Sequence, residues 1–336
     1  MTAPEAMHTV MPGVMPGAMP APHRIDVHHH LYPPVYLKRL TDRKIAQKPA
    51  LDWSPARAIE DMDRGGIQAA ITSLTAPALE MLAREELRLM ARECNDYAAR
   101  LAADHPGRFG IFATLPLPDL DGSLREIDYA FDMLQADGVC LLTSYENKWL
   151  GDAAFAPLLE ELNRRKAVAY VHPTAPECCR NLLPGIPDWV VEYPTDTTRT
   201  IISLLYSGAA ARYPDIRFIF SHCGGTMPFI SQLIERAALV SPELAAAVPD
   251  GAHAALCRFH YDTALRAHPT GMASMKALMS ASQWLFGTDF PFRSSQSQID
   301  GLRLCGFSDA EMRRIDCENA HALMPRWQTP CGCHHA

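Results

Sequence analysis

The chain has 336 residues, a net charge of -7, 48% hydrophobic residues and 21% charged ones. That balance belongs to a soluble globular protein with room for one large domain or two ordinary ones. No basic patch points to nucleic acid, and no apolar run is long enough to span a bilayer.

The first residues, 1–22, repeat Met-Pro-Gly and lack the periodic apolar pattern of a packed element. They read as a disordered tail, without the basic and apolar regions of a secretory signal. Residues 23–326 form the expected single catalytic domain, and 327–336 a second tail with Cys331, Cys333, His334 and His335. Two cysteines without a second half-site make a poor zinc motif. The ten cysteines have no framework spacing, which suggests reduced thiols in the cytoplasm. The adjacent Cys178 and Cys179 read as loop thiols.

Beyond the first tail, short β-rich runs alternate with longer amphipathic ones. Eight strands are expected, at Arg24–His28, Ala69–Leu74, Phe109–Leu115, Val139–Thr143, Val168–His172, Ile216–His222, Phe259–Thr263 and Trp284–Asp289. Several are near-continuous apolar runs, as in strands buried on both faces. Ser54-Pro55 should open a helix that Gly65-Gly66 closes, and a helix is expected from Leu79 to Ala103. Ser123 with Glu126 and Ser308 with Glu311 have capping-box spacing. Leu31–Trp53 reads as an irregular insertion. Eight such units predict a (β/α)8 TIM barrel of the α/β class. An open doubly wound sheet, the alternative, would carry a Gly-rich turn where this chain has His28-His29-His30.

In a barrel the chemistry sits at the carboxyl ends of the strands. His28 and His30 share one face of the first strand and His29 takes the other, with Asp26 on the parity of His28. The fifth strand ends at His172, the sixth at His222-Cys223-Gly224-Gly225, and the eighth at Asp289. Any one strand-end histidine reads equally as a hydrogen-bonded structural residue. Together, His28, His30, His172 and Asp289 make a ligand set for one divalent cation, Zn²⁺ first and Mn²⁺ as the alternative. The fourth strand offers no lysine to bridge two metals. His222 is left as an acid/base group or electrophile. Arg293 is a candidate partner for a carboxylate, and Phe290, Trp53 and Tyr145 are candidate walls for an aromatic ring. Asp262 either orients His222 or caps a helix. Arg199 reads as half of a surface ion pair.

The stretches Ile25–His30, Val171–Thr174, Phe220–Gly225 and Gly287–Phe292 resemble the amidohydrolase superfamily, in its aminocarboxymuconate-semialdehyde decarboxylase-like branch. His105–Phe109, Ala113–Pro118, Leu142–Tyr145 and Tyr213–Ile219 are similar to the 6-methylsalicylate decarboxylase subgroup. The resemblance implies a metal-dependent, non-oxidative decarboxylase of a small hydroxybenzoate, with His222 catalytic, Asp289 a proton donor as well as a ligand, and a homodimer. A hydrolase that opens a lactone or amide with metal-activated water is the alternative on the same residues, and a binding protein that keeps only the barrel is a second.

Overall fold

The computed structural model describes residues 23–328. Eight strands, β1 (Arg24–His30), β2 (Ile67–Ser73), β3 (Phe109–Thr114), β4 (Gly138–Leu142), β5 (Val168–His172), β6 (Arg217–Phe220), β7 (His260–Asp262) and β8 (Trp284–Leu285), pair in sequence order, every ladder parallel. The eighth ladder is shorter than its apolar run. After Leu285 the chain leaves β7 and turns to β1, which closes the ring. Val27 N–H donates to Phe286 O at 3.0 Å, Asp289 N–H to His28 O at 2.9 Å and His30 N–H to Phe290 O at 2.8 Å. A continuous hydrogen-bonded ring is a barrel and excludes the open sheet.

The strands are apolar on both faces because each packs against two layers. Val27, Ile71, Phe112, Tyr170, Ile219 and Leu285 fill the interior, and Leu323, Met324 and Trp327 pack against them. A larger cluster lies between strands and helices. Interior side chains therefore fill the barrel, and the amino acids that carry chemistry are displaced to its rim.

Ser54 Oγ caps the helix Pro55–Arg64, and Gly65 ends it. The helix expected from Leu79 begins instead at Arg84, because the Glu86 side chain accepts the Ala83 N–H at 3.3 Å and fixes the first turn there. Ser123 is no cap either. Asp119 caps the helix Leu120–Asp128, while Glu126 is spent on Arg92 and Asn95, each at 2.8 Å. Ser308 and Glu311 do form the reciprocal box. Leu31–Trp53 is not irregular. It holds the helices Pro34–Asp42 and Lys48–Leu51, with Tyr36 and Leu40 buried. The Met/Pro-rich start and the Cys331–His335 cluster lie outside the described residues.

Candidate metal centre

At the carboxyl rim, one donor atom from each of His28, His30, His172 and Asp289 lies within 4.8 Å of the others. His28 Nε2 and His30 Nε2 are 3.1 Å apart, and Asp289 Oδ1 lies 3.2 Å and 3.1 Å from them. Among the described residues no other group of three or more His, Cys, Asp or Glu meets in this way.

The far nitrogen of each imidazole is already committed. His28 Nδ1 is 2.8 Å from Asp262 Oδ2, His30 Nδ1 is 3.3 Å from Ser73 O, and His172 Nδ1 is 2.9 Å from Pro173 O. All three acceptors are oxygens, so in this assignment each Nδ1 carries the proton and each Nε2 turns a lone pair inward. Three imidazole lone pairs and a carboxylate, all buried, converge on one point. A divalent cation fits that donor set.

The electrostatics favour a second proton on His28, at Nε2, which a cation would displace. Burial opposes charge on His28, but Asp262 and Asp289 outweigh it and push the imidazole up to about 10. Burial alone would raise the Asp289 carboxyl; the hydrogen bonds of His28 and His30 overcome it and hold Asp289 ionised. Burial pulls His30 down, and His172 well down. The one proton at the centre and a metal ion therefore compete for the same lone pairs.

Local backbone irregularities aim these groups. Between Asp26 and His29, three residues of β1 pass two of β2, a bulge that reverses the facing of the chain. Ile25 and Val27 fill the interior below it, while His28 and His30 face the centre above it. Asp26 consequently does not share the side of His28. Its carboxylate accepts from His29 Nδ1 at 3.0 Å and from Thr288 Oγ1 at 2.6 Å, tying β1 to the segment after β8. His222, Cys223 and Asp289 all take positive φ, which is costly for side chains of their kind and typical of functional turns.

Beside the centre lies a cavity of about 450 Å³. His172, His222, Asp289 and Arg293 line it. His222 Nε2 is buried with no protein partner, and its ring centroid lies 4.8 Å from that of His28. Burial, then the charge of His28, pull its imidazole down to about 4, so it is neutral near pH 7. The three proposed aromatic walls are not among the lining residues. Phe290 stacks on His29 at 4.7 Å, Trp53 packs on Tyr32 and Tyr97, and the Tyr145 hydroxyl accepts the Leu142 N–H at 2.7 Å. The aromatic lining comes instead from Trp189, Tyr193 and Phe292, with Thr75, Leu265 and Arg266 beside them. Leu265 and Arg266 follow the seventh strand end, where position alone could have flagged them. Asp262 does not contact the His222 ring. It accepts the His222 backbone N–H at 2.9 Å and supports His28. Arg199 pairs with Asp196 at 3.6 Å and Glu192 at 3.7 Å. Cys178 and Cys179 are free thiols.

A family model described as amidohydrolase matches residues 25–326. Decarboxylase yanB of Aspergillus niger is 36% identical, with 91% of this chain and 89% of that protein covered. The 6-methylsalicylic acid decarboxylase of Penicillium expansum is 35% identical, with 90% and 96% covered. The crystal structure of a dihydroxybenzoic acid decarboxylase from Polaromonas sp. JS666, with bound manganese and the inhibitor 2-nitroresorcinol, superposes with a TM-score of 0.76 at 22% identity, covering 91% of this chain and 98% of that one.

Proposed function

The chain belongs to the amidohydrolase family, and we propose that it works there as a metal-dependent, non-oxidative decarboxylase of a small hydroxybenzoate such as 6-methylsalicylate, releasing CO2 and the phenol. The observation that carries this reading is the convergence of His28, His30, His172 and Asp289 on one rim point that opens into an aromatic, cation-bearing cavity.

His28, His30, His172 and Asp289 would hold the cation, which would supply positive charge to stabilise oxygen anions on the substrate. The nitrogen-rich set suits Zn²⁺, with Mn²⁺, present in the Polaromonas enzyme, as the alternative. The ring carbon must gain a proton as its bond to the carboxylate breaks, and the electrons of that bond stay with the ring. Asp289 is the only carboxylic acid among the described residues that line the cavity, and we assign it the proton. In the free site the imidazoles keep Asp289 ionised, so it takes up its proton when an anionic ring offsets their charge. His222, neutral and with Nε2 unpartnered, holds a substrate oxygen. Trp189, Tyr193 and Phe292 flank the ring and exclude water.

The free thiols support a cytoplasmic location. The exposed Leu233, Leu239 and Val240 of the helix Ser231–Val240 support a homodimer, which light scattering would test. The activity is tested by incubating metal-loaded protein with 6-methylsalicylate. Release of CO2 and the phenol is expected. Opening of a lactone without CO2 release would identify the hydrolase instead.

A further inference from the structure

The turn after β7 is built with unusual cost. Leu265, a bulky residue, sits at φ 57°, in the left-handed region that disfavours its side chain. Its neighbours are pinned. Thr263 N–H donates to Leu285 O at 3.0 Å, Ala264 N–H to Asp262 Oδ1 at 3.0 Å, Arg266 N–H to Thr263 O at 3.1 Å, and His268 N–H to Arg266 O at 2.7 Å. Strain held by so many bonds fixes what the turn presents to the cavity, which is Leu265 and Arg266.

Arg266 is half-buried, its Nε is buried without a hydrogen-bond partner, and no carboxylate among the described residues pairs with its guanidinium. Burying an unpaired donor costs free energy, and such a group facing a cavity is placed to bond what enters it. Arg266 and His222 line the same cavity. Arg293 lines the cavity too, but it is exposed and water solvates it. The one lining carboxylate, Asp289, is already engaged by His28 and His30. Among the described residues the cavity therefore holds a partly desolvated guanidinium and no free anion to satisfy it.

We propose that Arg266 is a specificity-determining residue that pairs with the carboxylate of the aromatic acid and so distinguishes substrate from product. This rests on the decarboxylase reading for the identity of the acid. When CO2 leaves, the ring carbon keeps the bonding electrons and takes a proton, so the phenol carries no carboxylate and loses this contact. The pairing thus favours entry of the acid and release of the phenol. Charge-assisted bonds to a planar guanidinium are strong in a partly dry site, and lysine reproduces the charge without the fork.

The test uses metal-loaded, full-length protein and two ligands, 6-methylsalicylate and the phenol formed from it. Arg266→Ala should weaken binding of the acid by about tenfold or more. KM should rise in step, and kcat should not fall, because the contact is made to the bound acid and is given up as CO2 leaves. Affinity for the phenol and metal content should match the wild type, and Arg266→Lys should recover part of the affinity for the acid. Unchanged affinity for the acid, or equal loss for acid and phenol, would overturn the assignment. If the wild type binds the acid without releasing CO2 and Arg266→Ala loses that binding, the pairing stands and the decarboxylase reading falls.

Discussion

Asp262 Oδ2 lies 2.8 Å from His28 Nδ1, with both side chains wholly buried. The other oxygen of the same carboxylate accepts the backbone N–H of His222 and that of Ala264. One buried anion thus sets the tautomer of a proposed metal ligand, the position of the neutral imidazole and the start of the turn that bears Arg266. Asp262→Asn places an amide in this position. Its oxygen can keep the backbone bonds, but its NH2 then faces His28 Nδ1 and drives the proton onto Nε2, where the lone pair is needed. Metal affinity should fall by about 10- to 100-fold. Competition with a chromogenic chelator measures it, and unchanged affinity would show that Asp262 does not set the tautomer.

His172 and His222 line the same cavity, and the proposed function gives them different roles. His172→Ala removes one of four converging donors, so metal content and turnover should both be lost. His222→Ala should retain the metal and lose about 10²–10⁴-fold in kcat. Elemental analysis beside CO2 release separates the two variants. Loss of metal from His222→Ala would mean that the ligand set is misassigned.

The site was readable in the sequence where it depended on strand ends. A buried parallel strand must be apolar, so the first ionisable residue after each run marks the rim, and His28, His172, His222 and Asp289 stood out for that reason. What depended on one residue of backbone was not readable. The bulge in β1 moves Asp26 to the side of His29, and no side chain in Asp26-Val27-His28 announces it. The aromatic walls failed for a related reason. Phe290, Trp53 and Tyr145 are near the rim in sequence, but their facing is set by packing on His29, on Tyr32 and Tyr97, and on Phe155. Trp189 reaches the cavity from the connection after β5, whose path no periodicity describes, and Tyr193 from the first turn of the helix Glu192–Tyr206 that ends it.

Gly225 is fixed by two constraints at once. Its φ is +71°, and a Cβ there would lie 2.0 Å from the carbonyl oxygen of Pro194, a cavity-lining residue. Backbone cannot yield as a flexible side chain can. Gly225→Ala should cost about 2–6 kcal/mol, summing the strain of a backbone that suits glycine and overpacking, and should lower turnover by displacing the turn that carries His222. Gly251 provides the control, since its φ is +89° but no atom lies within 4 Å of its Cβ position. Gly251→Ala should cost only the strain of a backbone that suits glycine alone, about 1–3 kcal/mol. Equal shifts in the urea midpoint for the two variants would refute the contact with Pro194.

Glu80 links the connection after β2 to the one after β5. It accepts from the Thr174 hydroxyl at 2.9 Å and from Arg180 at 3.1 Å, with its side chain 15% exposed. Burial raises its carboxyl to about 7, against the opposing pull of Thr174 and Arg180. The unfolded chain loses this proton near the ordinary value of 4.5. Between those values the folded protein binds a proton that the unfolded chain has released. Stability from this residue is therefore greatest below about 4.5, falls as pH rises toward about 7, and is constant above that. A shift of this size corresponds to about 3 kcal/mol. Glu80→Gln keeps a neutral acceptor for Thr174 and removes the titration, giving up only a half-exposed ion pair of small worth. Relative to the wild type, the variant should be more stable at pH 8 than at pH 5 by about 2–3 kcal/mol in urea denaturation. A difference between variant and wild type that does not change between the two pH values would place the Glu80 carboxyl in its ordinary range, and the connection after β5 would then be held by an ionised pair.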